Sequence, residues 1–165
     1  AVAACRYPRL NNAPLYEPKG IRGDGPVRAA RYWGLTQQEY YSKADVWPLD
    51  RNGELLVIIQ IEDTSGIKNL SDILTEVPGI GVVLIGEGDL GQEIGFPRQY
   101  EHPALLEPIA QIVAVCKDHE VIVGHPHANA NNMHRLLDEG FRFIMSSSTR
   151  SDTGLEKGLE LTGRG

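Results

Sequence analysis

Two apolar runs in the middle of the chain each end in acidic residues. The first spans residues 54–61 and ends at Glu62, and the second spans residues 81–86 and is followed by Asp89. Between them, apolar residues recur at helical spacing over residues 66–76. Short β-branched runs joined by a helix are typical of a parallel β-α-β unit that is buried on both faces. The pattern therefore predicts that Glu62 and Asp89 lie at one rim, beyond the carboxyl ends of their strands.

The alternation of strand and helix continues towards the C-terminus. Residues 87–102 are predicted to form a long loop, and Pro103 then opens a helix, since proline suits the first helical turn. Apolar positions continue that helix to Cys116. The same criteria predict strands at residues 121–123 and 141–145, a helix at about 130–139 that stops at Gly140, and a last helix from about Leu155.

The N-terminal third lacks this alternation. After a short helical segment, prolines and glycines make the first 26 residues irregular. Thr36 and Glu39 fit a capping box that starts a helix to about Ala44, and no strand is predicted before residue 54. We therefore predict a single domain or partial barrel over residues 1–165. Within it, residues 1–53 are an N-terminal loop and short helix, and residues 54–165 are four β/α units.

Four β/α units are half of what a closed barrel requires. A (β/α)8 barrel has eight strands and typically about 250 residues, whereas this sequence has 165. The predicted fold class is therefore α/β, of the (β/α)8 TIM-barrel type, with the chain resembling the C-terminal half. Such a half would expose a sheet edge that can pair with another chain, so we expect a homo-oligomer.

Composition excludes some classes of partner. The formal net charge is -6 and no cluster of Lys and Arg breaks it, which argues against nucleic-acid binding. The apolar runs are too short to span a bilayer, and no apolar signal segment is recognisable. Cys5 and Cys116 are too few for a disulfide scaffold and are typical of reduced thiols. We expect a cytoplasmic protein with no membrane or nucleic-acid partner.

Glu62 and Asp89 are candidate metal ligands. Two acids one β/α unit apart can share a hard divalent cation, which prefers oxygen ligands and keeps several waters for a substrate. Alternatively, both acids only stabilise the helices that follow them, near the positive end of the helix dipole. The neighbouring Glu87 is expected to be a solvent-exposed acid at the rim.

Other polar residues at the rim allow several interpretations. His125 and His127 follow the third predicted strand and could transfer protons, bind zinc as a pair, or line the substrate pocket. Arg22 could bind an anion or contact another subunit. The Ser/Thr-rich segment at residues 146–150 could bind phosphate or form an ordinary turn.

Four short segments point to one family when they are taken together. They are Gly20–Gly23 (Gly-x-Arg-Gly), Gln60–Glu62 (Gln-x-Glu), Ile85–Leu90 (Ile-Gly-x-x-Asp-Leu) and Gly140–Phe143 at the start of the last strand. In this order and with β/α spacing, they resemble the HpcH/HpaI aldolase/citrate lyase family, which comprises metal-dependent pyruvate aldolases on a (β/α)8 barrel. The resemblance covers essentially the whole chain and corresponds to the C-terminal part of the barrel.

The resemblance implies a metal centre. Glu62 and Asp89 would be the protein ligands of Mg²⁺ or Mn²⁺, with Co²⁺ as a further option, and the ion would hold pyruvate or another 2-oxo acid. Gln60 would be a catalytic residue beside the ion, or else only a polar residue facing the barrel interior. The backbone N–H groups of Gly88 and Asp89 would face the substrate carboxylate. The resemblance also implies an arginine and a histidine from earlier strands, and no segment of this chain matches them.

The implied activity is that of a carbon–carbon lyase. An aldolase of this kind would cleave a 4-hydroxy-2-oxo acid into pyruvate and an aldehyde through a metal-stabilised enolate. A citramalyl- or malyl-CoA-type lyase is an alternative, although no obvious basic patch is available for the CoA phosphates. The non-enzyme alternative is a truncated half-barrel that folds or associates without activity.

Overall fold

The computed structural model describes residues 1–9, 17–146 and 152–164. Its internal contacts divide the chain into two compact units. The first comprises Ala1–Ile58 with Ile73–Gly81, and the second comprises Ile59–Asp72 with Val82–Gly165. The predicted domain organisation over residues 1–165 stays a prediction. Among the described residues, no helix combines the length and the apolar character that a membrane crossing requires.

The first unit contains short helices and a small sheet. These elements are α1 (Val2–Cys5), α2 (Val27–Tyr32), α3 (Gln37–Lys43), β1 (Val46–Trp47) and β2 (Leu55–Leu56). The capping box of α3 is confirmed, because the Glu39 N–H donates to the Thr36 hydroxyl and the Thr36 N–H donates to the Glu39 carboxylate. The expectation of no strand before residue 54 was wrong, since β1 pairs in parallel with β2. Two-residue strands are too short to show a periodicity in the sequence.

A buried ion pair holds the first unit together. Arg6 Nε donates to Asp45 Oδ1 at 2.6 Å, and both side chains are almost fully buried. Burial raises the pKa of Asp45, but the hydrogen bonds and charge of Arg6 outweigh it and lower the pKa below its usual value. The Gly-x-Arg-Gly segment packs against the backbone of Arg6. A Cβ on Gly20 would stand 2.4 Å from the Arg6 carbonyl oxygen. Only glycine permits that approach.

The second unit is a layered α/β structure. Its sheet has the order β3-β4-β5-β6, and β5 pairs in parallel with β4 and β6. The strands are β3 (Ile58–Ile61), β4 (Val82–Ile85), β5 (Ile122–Ala128) and β6 (Phe143–Ser146). The helices are α4 (Thr64–Glu76), α5 (Glu87–Glu93), α6 (Pro103–Asp118), α7 (Met133–Glu139) and α8 (Thr153–Leu161). Ile58 of β3 and residues 73–76 of α4 belong to the first unit. The predicted alternation after residue 54 is thus confirmed.

Apolar burial explains these elements. Three residues of β4 (Val82, Val83 and Ile85) are no more than 1% exposed, as expected for a central parallel strand covered on both faces. Helix α6 starts at the predicted Pro103 and buries side chains at helical spacing, namely Leu105, Ile109, Ile112 and Cys116. Helix α7 ends at Gly140, as predicted, with φ of 109°.

The structure corrects three element boundaries. The predicted loop at residues 87–102 contains helix α5, whose only buried residues, Glu87, Leu90 and Gly91, give no apolar period. The run at 54–61 is divided between β2 and β3. The strand predicted at 121–123 continues through Pro126 to Ala128. Residues 147–150 of the Ser/Thr-rich segment lie outside the described residues.

Candidate metal and substrate site

Glu62 directly follows β3 and is held by a neighbour on that strand. Gln60 Nε2 donates to Glu62 Oε2 at 2.6 Å. Gln60 itself is exposed, and Glu62 is half-buried. The hydrogen bond restricts one oxygen of the carboxylate and fixes its orientation, which leaves the other oxygen available to a cation.

The turn that leads to Asp89 begins directly beside Glu62. The Gly86 N–H donates to the Ile61 carbonyl oxygen at 2.8 Å, continuing the pairing of β3 with β4. A Cβ on Gly86 would stand only 2.3 Å from the Glu62 Cβ. Glycine is therefore required at position 86 for the ends of the two strands to approach each other.

Gly88 and Asp89 lie in the first turn of α5. Asp89 is exposed, and among the described residues no hydrogen bond or ion pair engages its carboxylate. A Cβ on Gly88 would meet no other atom within 4 Å. Among the described residues, none therefore blocks the approach of a ligand to Gly88 or to the Asp89 carboxylate.

The carboxylate oxygens of Glu62 and Asp89 suit a hard cation, and Gln60 is hydrogen-bonded to Glu62. Carboxylate and amide oxygens are the ligands that Mg²⁺ and Mn²⁺ prefer. Within the described ranges, no group of three or more His, Cys, Asp or Glu side chains is arranged to hold a metal ion. An ion on Glu62 and Asp89 would therefore complete its coordination with water and substrate, as Mg²⁺ commonly does. The same finding does not support the suggested zinc-binding role of His125 and His127.

Glu87 is buried, so the expectation of a solvent-exposed rim acid was wrong. It is 3% exposed, and His127 Nδ1 lies 2.5 Å from its Oε1. Burial raises the pKa of Glu87, although the hydrogen bond to His127 acts in the opposite direction. The physical reason is helical spacing: Leu90 and Gly91, three and four residues later, are buried on the same side of α5. Asp89 therefore faces away from Glu87.

His125 completes this buried cluster. Its Nδ1 accepts the backbone N–H of His127 at 3.2 Å, so the neutral ring carries its proton on Nε2. That nitrogen lies 3.6 Å from Glu87 Oε2. Burial lowers the pKa of His125 to about 4, so the ring is neutral at pH 7 and its contact with Glu87 is not an ion pair.

A cavity of about 760 Å³ opens beside the cluster. Its lining combines Glu87 and the two histidines with apolar side chains of α6 and with polar residues, among them Arg98, Asn132 and Arg135. His127 is about half exposed at this cavity and stacks on Tyr100 with ring centroids 5.4 Å apart. Of the roles predicted for the histidines, lining a pocket is the one that this geometry supports.

The hydrogen bonds that hold the C-terminal end of α5 were not predicted from the sequence. The Glu93 carboxylate accepts both the backbone N–H and the hydroxyl of Thr64, each at 2.7 Å. The two residues are 29 positions apart, so no local pattern joins them. The sequence signal for the Glu87 cluster was similarly weak, because a glutamate after a strand is normally solvated at the rim.

Comparison with known proteins identifies relatives. The family model described as HpcH/HpaI aldolase/citrate lyase matches residues 7–151. A 4-hydroxy-2-oxo-heptane-1,7-dioate aldolase of Escherichia coli is 32% identical over 145 residues, which cover 87% of this chain and 48% of that protein. A 4-hydroxy-2-oxovalerate aldolase of Rhodococcus jostii (strain RHA1) is 36% identical over 120 residues, which cover 70% and 39%. The chain thus spans about half the length of the first relative.

Solved structures show the same fold. An HpcH/HpaI aldolase/citrate lyase family protein from Burkholderia cenocepacia J2315 superposes with a TM-score of 0.72 at 23% identity, over 99% of this chain and 57% of that one. An HpcH/HpaI aldolase from Desulfitobacterium hafniense DCB-2 gives 0.64 at 24% identity, over 89% and 55%. These similarities confirm the predicted fold class, an α/β chain equivalent to about half of a (β/α)8 barrel. The chain belongs to the HpcH/HpaI aldolase/citrate lyase family.

Proposed function

We propose that this chain carries the metal-binding and 2-oxo-acid-binding part of an aldolase. The reaction would be cleavage of a 4-hydroxy-2-oxo acid into pyruvate and an aldehyde. In this proposal the protein is a cytoplasmic homo-oligomer whose ligands are a 2-oxo acid, an aldehyde and a divalent metal ion. Relatives named as aldolases of 4-hydroxy-2-oxo acids support the substrate class.

The observation that carries the proposal is the close approach of two strand ends. Glu62 directly follows β3, and Gly86, which begins the turn to Asp89, has no room for a side chain because it lies against Glu62. The carboxylates of Glu62 and Asp89, which belong to adjacent β/α units, therefore lie at the same rim in this proposal. This is where barrels of this type bind substrates.

Each proposed residue has a separate task. Glu62 and Asp89 hold the ion, which can be Mg²⁺, Mn²⁺ or Co²⁺, and Gln60 orients the Glu62 carboxylate through its 2.6 Å hydrogen bond. The open backbone at Gly88 and Asp89 receives the substrate carboxylate through N–H donors. When bound, the ion supplies positive charge beside the keto oxygen, which favours cleavage of the adjacent carbon–carbon bond or loss of a methyl proton.

Exchange of the pyruvate methyl protons tests the proposal. We expect the protein to exchange them for deuterium in D₂O when Mn²⁺ or Mg²⁺ is present, as followed by NMR, and to stop after a chelator is added. Asp89→Ala should remove the exchange. Asp72→Ala, which deletes an exposed acid on α4, is the control and should leave it unchanged. Metal-independent exchange, or exchange that survives in Asp89→Ala, would contradict the assignment.

The second candidate is a partial barrel that folds or associates without catalysis. The chain spans about half the relatives' length, 48% of the Escherichia coli aldolase, so the activity of the whole relatives is a proposal for this chain. Under this alternative, Mn²⁺ binds at Glu62 and Asp89 while the methyl protons do not exchange. Metal-dependent exchange by the chain would eliminate it.

A further inference from the structure

Helix α5 carries Asp89 but is too short to be stable, or fixed in direction, without contacts to other elements. It spans seven residues, and isolated helices shorter than about 12 residues are marginal in water. Its N-cap is Gly86, which makes no side-chain capping bond. The direction of the helix, and with it the position of Asp89, must therefore be set by contacts with other elements.

The first contact holds the first residue of α5. The buried Glu87 carboxylate is bonded to His127 Nδ1 at 2.5 Å and faces His125 Nε2 at 3.6 Å, and both histidines belong to β5. His127 is itself restrained by stacking on Tyr100. A buried carboxylate with such partners cannot be displaced without losing its hydrogen bond in a poorly solvated place.

The second contact holds the last residue of α5. Glu93 accepts two hydrogen bonds from Thr64, the first residue of α4, which lies two positions after Glu62. Hydrogen bonds to a charged acceptor stabilise more than neutral ones do. One end of α5 is thus joined to β5, and the other is joined to the start of α4, two residues after Glu62.

We propose that Glu87 and Glu93 are positioning residues that fix α5 at both ends and thereby set the position of Asp89 relative to Glu62. They touch neither the ion nor the substrate. This inference rests on the proposed function for the identity of the ligand, but not for the restraint of the helix. Residues that orient metal ligands commonly change metal affinity by about 10–100-fold when they are removed.

One variant at each end of α5 tests the inference. His127→Phe removes the partner of Glu87 but keeps a ring for Tyr100, and Glu93→Ala removes the acceptor for Thr64. The matched controls are His134→Phe, on an exposed histidine of α7, and Glu76→Ala, on the exposed last residue of α4. Two properties are measured. The first is the Mn²⁺ dissociation constant, by electron paramagnetic resonance. The second is hydrogen exchange of the Leu90 amide, which donates to the carbonyl oxygen of Gly86, the N-cap of α5.

We expect both test variants to weaken Mn²⁺ binding by about tenfold or more and to accelerate Leu90 exchange by about tenfold, whereas both controls remain like wild type. Glu93→Gln, which keeps an acceptor oxygen, should recover most of the affinity. Wild-type Mn²⁺ affinity and unchanged Leu90 exchange in both test variants would overturn the inference.

The two readouts separate this inference from the proposed function. If wild type binds no Mn²⁺ while the variants still accelerate Leu90 exchange, the metal site is wrong and the restraint of α5 stands. If wild type binds Mn²⁺ and the variants change neither affinity nor exchange, the positioning role is wrong and the metal site stands.

Discussion

At the scale of residues, Gly86 has no space for a side chain, whereas Gly88 has open space around it. We predict that Gly86→Ala destabilises the protein by about 1–3 kcal/mol, because its Cβ would collide with Glu62 at 2.3 Å. Gly88→Ala should fold normally, since nothing lies within 4 Å of the new methyl group, and should instead weaken pyruvate binding if substrate approaches there. Urea unfolding and pyruvate titration measure the two effects. A Gly88→Ala variant with wild-type pyruvate affinity would contradict the substrate-binding role of this residue.

His125 gives the protein a defined pH dependence. Its folded pKa is lowered to about 4 from the usual 6.5, so the unfolded chain takes up this proton first as the pH falls. The corresponding stability is fully present above pH 6.5 and is lost towards pH 4, by about 3 kcal/mol. We predict that His125→Gln flattens the curve of unfolding free energy against pH in this range, whereas His134→Gln does not. Equal slopes for wild type and His125→Gln would refute the prediction.

At the scale of elements, the Arg6–Asp45 pair joins α1 to the start of β1. We predict that Asp45→Ala lowers the unfolding free energy by about 3–5 kcal/mol, because Arg6 would be left buried without its counter-charge. The lowered pKa of Asp45 adds a pH effect: this stability is present above the unfolded pKa and is lost as the pH falls through the folded one. Chemical denaturation at several pH values measures both. Asp118→Ala, which removes an exposed acid at the end of α6, is the control and should leave both properties unchanged.

The elements that the sequence predicts well are those with long apolar periods or distinct end signals. Helix α6 has both an opening proline and four buried apolar positions, and α3 has a complete capping box. Helix α5 was missed because burial of Glu87 and Gly91 on its inner side follows from tertiary contacts rather than from hydrophobicity. Strand β1 was missed because two residues carry no period.

At the scale of the whole molecule, the sequence predicts the order of the β/α units but not the contacts that hold the candidate site together. Glu62 and Asp89 were singled out because each follows an apolar run. The hydrogen bonds between His127 and Glu87 and between Thr64 and Glu93 join residues that are 40 and 29 positions apart. Such pairs become visible only when the chain is folded, since single-sequence patterns report local spacing.

The most direct test of the two-carboxylate metal site is a Mn²⁺ titration of the wild-type chain and of Asp89→Ala, with Asp72→Ala as the control. We predict one Mn²⁺ site in wild type and in Asp72→Ala, and loss of that site in Asp89→Ala, because the ion would keep only one protein carboxylate. Equal Mn²⁺ affinity in wild type and Asp89→Ala would contradict the two-carboxylate site and, with it, the proposed aldolase chemistry.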